Sequence, residues 1–260
     1  MTDRVQKILA QWGIASRRNA EKMILAGRVT LNGNPVQLGD QADPREDQIC
    51  VDGKPLKSEQ HPEKHYYIIN KPRGFVSTCS DPRDRRTVLE LLPPELHQGH
   101  GMHPVGRLDA QSTGALILTN DGDFTLSLTH PRFHIRKTYR VWLQGRISEK
   151  ALRQWRLGVM LGDRLTLPAE ITLKKVNQDK TCVDIMLTEG RNRQIRRVAE
   201  QLGYPVISLH RSAIGSVRID DLPRGGARPL TELELNELRQ SIHPITSFIK
   251  SPASVREYSV

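Results

Sequence analysis

The stretch GRLDAQSTGALILTNDG, residues 106–122, couples a polar loop to an apolar run, and the rest of the chain takes its meaning from that junction. The loop half carries a single acid, Asp109, two residues after Arg107. Gly114 then opens Ala115-Leu116-Ile117-Leu118-Thr119, a short run that reads as a buried strand. A side chain on a loop held by a rigid strand is well placed for chemistry, because the scaffold fixes its position. For a lone aspartate the plain alternative is a turn cap, so the weight on Asp109 depends on its surroundings.

Those surroundings alternate between short strands and helices. Upstream, Tyr67-Ile68-Ile69-Asn70 predicts a strand entering a Lys71-Pro72-Arg73-Gly74 turn, with Phe75-Val76-Ser77 as the strand that leaves it. Downstream, Phe124 to Leu128 begins a helix. Ile135, Lys137, Tyr139, Val141 and Leu143 share one strand face by their period of two, and Val183, Ile185 and Leu187 share another. Ile195, Val198, Ala199 and Leu202 form a helical stripe closed by Gly203. Strands punctuated by helices predict an α+β domain on a mixed or antiparallel sheet over residues 67–243.

The first 60 residues are patterned differently. Val5, Ile8, Leu9 and Trp12 make an amphipathic stripe ended by Gly13, and Ser16 caps a second helix through Ala20, Met23 and Ile24, closed by Gly27. Val29-Thr30-Leu31, an Asn32-Gly33 turn, Val36 and a strand Ile49-Cys50-Val51 running into Asp52-Gly53 predict a small sheet. A helix-helix-sheet unit over residues 1–60 is expected, then a polar linker at 61–66 and a flexible tail at 244–260.

Charge narrows the function. The net +10 suits a polyanionic partner, most often nucleic acid. Arg4, Lys7, Arg17, Arg18, Lys22 and Arg28 crowd the first 31 residues, which favours one basic face over a uniform coat. The three cysteines, Cys50, Cys79 and Cys182, are scattered, which argues against a disulfide framework or zinc site and for a reducing cytosol. No apolar stretch approaches a bilayer span, and basic residues interrupt any signal-peptide core. His97, His100 and His103 lie in a Gly- and Pro-punctuated loop with no helix to align them, so no metal site is expected.

Two resemblances join these observations. The run from Gly13 to Arg18, followed by Ala26-Gly27-Arg28-Val29 and Leu31-Asn32-Gly33, resembles the S4-type RNA-binding domain across residues 4–57. It implies that Arg17, Arg18, Lys22 and Arg28 touch RNA phosphates. The Asp109 stretch is similar to the signature loop of bacterial ribosomal-RNA pseudouridine synthases that carry such an N-terminal domain. Four further blocks, in order, are similar to the same family: Asn70 to Thr78, Lys137 to Val141, Thr188 to Arg197, and Ile214-Gly215 with Leu222-Pro223, Gly225 and Arg228 to Leu230. Ala115 stands where a bulkier aliphatic is usual, a departure that removes no chemical group.

The resemblance implies an enzyme without cofactor or metal that breaks a uridine's C1′–N1 bond, turns the uracil and rejoins it through C5. Asp109 would be the essential carboxylate, either as nucleophile or as the base that removes a ribose proton. Arg196 would pair with it, and Tyr139 would set its ring against the uracil. The target base must leave its stack to reach such a pocket. Arg107 would hold the RNA or fill the vacated space, and Lys71, Lys137, Arg191, Arg193 and Arg197 would also hold RNA. The expected partner is ribosomal RNA, of the large subunit in preference to the small, met by a cytoplasmic monomer. The rival reading is a non-catalytic RNA-binding or ribosome-assembly factor, for which Asp109, Tyr139 and Arg196 would be dispensable. An S4-type domain on a synthetase would require a nucleotide-binding signature, and no Gly-rich phosphate loop is present.

Overall fold

The structure, a computed structural model, describes residues 2–56 and 62–242. After a two-residue strand β1 (Asp3–Arg4), helix α1 (Val5–Gln11) buries Val5, Ile8 and Leu9, as the periodicity predicts. Ser16 caps α2 (Arg17–Leu25) by accepting the Asn19 N–H at 3.3 Å. β2 (Val29–Leu31) and β3 (Asn34–Pro35) form a hairpin, and β4 (Gln41–Ala42) pairs with β1. β5 (Ile49–Val51) and β6 (Lys54–Pro55) complete a sheet ordered β3-β2-β5-β6. Both hairpin turns, Asn32-Gly33 and Asp52-Gly53, have positive φ at both residues, the conformation those pairs tolerate best. Trp12, Ala20, Ile24, Val36 and Ile49 join the α1 stripe in a core of their own.

The larger unit runs β7 (Tyr66–Lys71), β8 (His103–Pro104), β9 (Thr113–Thr119), α3 (Gly122–Thr129), β10 (Lys137–Gln144) and α4 (Glu149–Leu157). It continues through β11 (Met160–Leu161), β12 (Arg164–Leu165), β13 (Glu170–Val176), β14 (Lys180–Leu187) and α5 (Gln194–Gln201). β15 (Val206–Ile214), β16 (Val217–Arg218), β17 (Ala227–Pro229) and α6 (Glu232–Ser241) complete it. Its sheet is ordered β13-β14-β10-β15-β9-β7-β17, with β16 beside β15 and β8 beside β9. The α+β class and the mixed sheet are as expected.

The apolar run at 115–118 is explained by cover on both sides. Ala115 and Ile117 face a core shared with Phe124, Leu128 and Leu238, while Leu116 and Leu118 face one built from Val88, Leu96 and Met102. A strand covered on both faces has no reason to alternate. On the other half of the sheet, Val141, Val183 and Ile185 pack against Leu152 and Trp155 of α4 and Val198 of α5.

One pairing joins the halves. β9 and β15 run parallel, with His210 opposite Thr113 and Arg211 opposite Gly114, whereas the other sheet neighbours are antiparallel. Gly114 sits at φ 107°, and a Cβ there would lie 2.1 Å from the Arg211 carbonyl oxygen. Only a residue without a side chain lets the strands approach at this seam. The Asp109 loop leaves the sheet at the same point.

The small unit docks on the large one. Lys7 forms ion pairs with Asp3 at 3.0 Å and with Asp123 at 3.1 Å. Gly13 packs so closely that a Cβ would lie 2.3 Å from the Gly99 carbonyl oxygen.

Three expectations need correction. Phe75-Val76-Ser77 is not a strand: Val76 makes one isolated bridge to Thr87, and Ser77 bonds the backbone of Leu108 instead of a ladder. The linker ends earlier than expected, because Lys64 bonds Asp121, the His65 N–H bonds Asn120, and Tyr66 already belongs to β7. Ile135 precedes β10 but is buried on the core side as its phase requires. Residue 61 of the expected linker and the tail at 244–260 lie outside the described residues.

Gly114→Ala is expected to destabilise the protein by more than about 3 kcal/mol, beyond ordinary overpacking, because its new contact is with backbone that cannot swing aside. Denaturant unfolding of the variant beside the wild type checks this; an unchanged midpoint would show that the seam can open without cost.

Candidate active site

Asp109 lies in a loop whose backbone is held from several sides. The Lys71 ammonium donates to the carbonyls of Ser112 at 2.9 Å, Pro72 at 3.0 Å and Asp109 at 3.2 Å. Ser77 Oγ accepts the Leu108 N–H at 3.1 Å and donates to the Leu108 carbonyl at 2.9 Å. The Gly74 N–H reaches the Ala110 carbonyl at 2.7 Å, and Arg73 bonds the side chain of Gln111. The loop is thus tied to the turn after β7 at positions on both sides of the acid, while the Asp109 side chain stays about one-third exposed.

Lys71 therefore does not meet RNA, contrary to expectation. It is 0% exposed, and its three donors are matched by three carbonyls. Burial pushes its pKa down to about 8, with Asp109 opposing the shift and Arg211 adding to it. A strand-end lysine before a proline looks like a surface charge in sequence; its inward turn is a tertiary fact.

Two arginines face the acid. Arg193 Nη1 stands 3.8 Å and Arg196 Nε 4.0 Å from Asp109 Oδ2, both beyond hydrogen-bond distance. No fork grips both carboxylate oxygens, as the pairing with Arg196 alone would have it. Arg196 is the more enclosed of the two, and its Nη2 donates to Ser112 Oγ at 3.3 Å. Burial and Arg193 lower the pKa of Arg196, with Asp109 acting in the opposite direction. Arg193, expected on phosphate, is brought here by its left-handed conformation at φ 49°, the turn that launches α5.

Tyr139 projects from β10 directly opposite Arg211 on β15. Arg211 is 5% exposed; its Nε donates to the Ala115 carbonyl at 2.7 Å and its Nη1 lies 3.5 Å from Tyr139 Oη. Sequence reading missed Arg211. The available signal was an arginine in the inward phase of a strand that otherwise presents Leu209 and Ala213 to the core. Lys137, two residues before Tyr139 on the same face, is half-buried, and burial together with Arg211 pushes its pKa down to about 8.

These side chains enclose a cavity of about 470 Å³, lined by Asp109, Ser112, Lys137, Tyr139, Arg196 and Arg211 among others. Of the two acids in the opening stretch, only Asp109 lines it. Asp121 caps α3 and is held by Lys64 at 2.9 Å and the Tyr66 hydroxyl at 2.8 Å.

The remaining cations divide. Arg107 and Arg197 are exposed, as are Arg17, Arg18 and Lys22 on α2. Arg28 is exposed but bound through two nitrogens to Asp52, at 2.6 and 2.8 Å. Arg191 is engaged within the protein: it pairs with Glu189 and donates to the carbonyls of Arg164 and Leu165. His97 binds the Leu92 carbonyl, and His103 bridges the Gly101 carbonyl and Thr125, so the loop histidines serve separate contacts.

A basic docking unit beside a carboxylate held in a cationic cavity defines a two-domain enzyme acting on nucleic acid. Comparison with known proteins makes that class specific. The RNA pseudouridylate synthase family matches residues 65–201, and the S4 domain matches residues 3–49. The chain is 39% identical over 240 residues to the ribosomal large subunit pseudouridine synthase B of Bacillus subtilis, covering 91% of this chain and 96% of that protein. It is 35% identical over 233 residues to the ribosomal small subunit pseudouridine synthase A of Escherichia coli, covering 89% and 98%. A crystal structure of a pseudouridylate synthase superposes with a TM-score of 0.65 at 32% identity, covering 90% of this chain and 99% of that one. This chain belongs to the RNA pseudouridylate synthase family and carries an S4 domain at its N-terminus.

Lys71→Met is expected to lower turnover and to cost about 1–3 kcal/mol of stability, since three buried carbonyls lose their donor, while RNA affinity stays near that of the wild type. Affinity falling with turnover intact would restore Lys71 to the RNA-contacting set.

Proposed function

We propose that the enzyme converts a uridine of ribosomal RNA to pseudouridine with Asp109 as the reacting carboxylate. The observation that carries this is the placement of Asp109: it is the acid on the rigid loop, at the mouth of a cavity where Lys137, Arg193, Arg196 and Arg211 supply positive charge. A carboxylate placed there can act as nucleophile or base. In the isomerisation the C1′–N1 bond breaks, a C1′–C5 bond forms, the C5 proton leaves and N1 gains a proton, so no redox partner is required. Asp109 serves either by bonding to C1′ or by removing a ribose proton.

A uridine within a helix cannot present its glycosidic bond to such a cavity, so the nucleotide is flipped out. Arg107, exposed and lining the cavity, holds the flanking backbone, and the exposed Arg197, Arg17, Arg18 and Lys22 hold RNA elsewhere on the surface. The Bacillus relative's large-subunit activity supports the large subunit as the source of the RNA. A cytoplasmic monomer completes the reading; among the described residues no helix is long and apolar enough to cross a membrane.

Asp109→Asn is expected to cut pseudouridine formation by at least about 10³-fold, since the amide supplies neither nucleophile nor base. RNA affinity and the melting transition should stay close to wild type. Turnover within about tenfold of wild type, below what loss of such a group costs, would remove Asp109 from the mechanism. Replacing Arg17, Arg18 and Lys22 together by alanine should flatten the log–log salt dependence of binding by roughly 2–3, at about 0.9 for each phosphate no longer neutralised. An unchanged slope would mean that α2 does not lie on the RNA.

A further inference from the structure

Lys137, half-buried, and Arg211, buried, are cations that meet few acceptors among the described residues. They lie on the same face of neighbouring strands, with Tyr139 opposite Arg211 and Lys137 two residues further along β10. The Lys137 ammonium has three protons to donate, and its hydrogen bond is a long one, 3.4 Å to the Leu128 carbonyl. Arg211 uses Nε on the Ala115 carbonyl and reaches Tyr139 Oη at 3.5 Å, while its buried Nη2 has no hydrogen-bond partner among the described residues. Neither cation is in an ion pair there, since Asp109 is the partner of Arg193 and Arg196. Leaving the buried Arg211 nitrogen unpaired is unfavourable, and a bound molecule that accepts from it removes that cost.

We infer that Lys137 and Arg211 hold the carbonyl oxygens of the flipped uracil and take up the negative charge the base acquires when its bond to the ribose breaks. This rests on the reading of the reaction given above. Position selects the base over a phosphate. A phosphodiester is tethered to the RNA on both sides and meets exposed lining residues of the cavity such as Arg107 and Arg193. The base projects away from the backbone and is the part of a flipped nucleotide that reaches enclosed residues of the cavity.

The chemistry calls for cations there. When C1′–N1 breaks, the bonding electron pair stays with N1 and is shared with O2 and O4 of the ring. This holds whether the Asp109 carboxylate bonds to C1′ or takes a ribose proton as the base departs. C5 then bonds to C1′, the ribose releases the carboxylate or recovers its proton, the C5 proton is lost and N1 is protonated. Lys137 and Arg211 exchange no net proton; they stabilise the anion as donors already held in place. Burial and Arg211 push the Lys137 pKa down to about 8, and an anion beside the ammonium opposes that shift.

A leaving-group experiment tests the inference. Ribosomal RNA transcripts containing the target are made with UTP or with 5-fluoro-UTP and reacted under single-turnover conditions with wild type, Lys137→Met, Lys137→Arg, Arg211→Lys and Asp109→Asn. Fluorine makes uracil a better leaving group, so stabilisation by the protein matters less. Lys137→Met is expected to slow C-glycoside formation roughly 10²-fold on uridine, the effect of removing one such donor. It should slow 5-fluorouridine at least several-fold less, while Lys137→Arg restores most of the rate and Arg211→Lys repeats the difference between substrates. Equal slowing on both transcripts would overturn the inference, as would weaker RNA binding with an unchanged rate at saturation. An inactive wild type, or an active Asp109→Asn, would instead fail the reading of the reaction.

Discussion

The architecture depends on one close approach, the backbone of Gly114 against the backbone of Arg211. A parallel pair at that point welds two antiparallel halves of a sheet whose helices and cores are otherwise separate. It also brings together groups from distant parts of the chain. The Asp109 loop feeds into β9 immediately before Gly114, Arg211 is the facing residue on β15, and Tyr139 is opposite Arg211 on the next strand. A side chain at position 114 would separate the acid from the groups that surround it.

Around this seam the protein uses its polar contacts to hold backbone in place. Lys71 and Ser77 could serve as surface groups; instead both are buried and bond the loop on either side of Asp109. The carboxylate itself is left without a short hydrogen bond from either arginine, with both at ion-pair distance from one oxygen. This arrangement separates rigidity from reactivity. The loop backbone is tied down, yet the carboxylate is not locked into a bidentate grip.

The small N-terminal unit contributes geometry at longer range. Its own core makes it a separate folding pattern, but Lys7 with Asp123 and Gly13 against Gly99 dock it on the catalytic unit near α3. The exposed cations of α2 thereby gain a defined position relative to the cavity. Phosphate contacts fix register without reading bases.

Much of this was legible in the sequence because it depends on local rules. Periodicity located both helices and both turns of the first unit, since helical stripes and Asn-Gly or Asp-Gly turns are set by neighbouring residues. The acid was found because its loop and strand are contiguous and resemble a family signature. What the sequence could not show was direction and proximity. Lys71, read as an RNA contact, turns inward because the carbonyls of Pro72, Asp109 and Ser112 converge on it. Arg191 is consumed by a hairpin 26–27 residues upstream, and Arg211 was passed over because nothing local distinguishes a buried arginine from a solvated one. By itself the sequence determined the two units and the α+β class and singled out Asp109 as the candidate acid, all carried by short stretches. Only the tertiary structure decided which cations meet that acid, because burial and hydrogen-bond partners are set by strands that meet across almost a hundred residues of chain, as Gly114 meets Arg211.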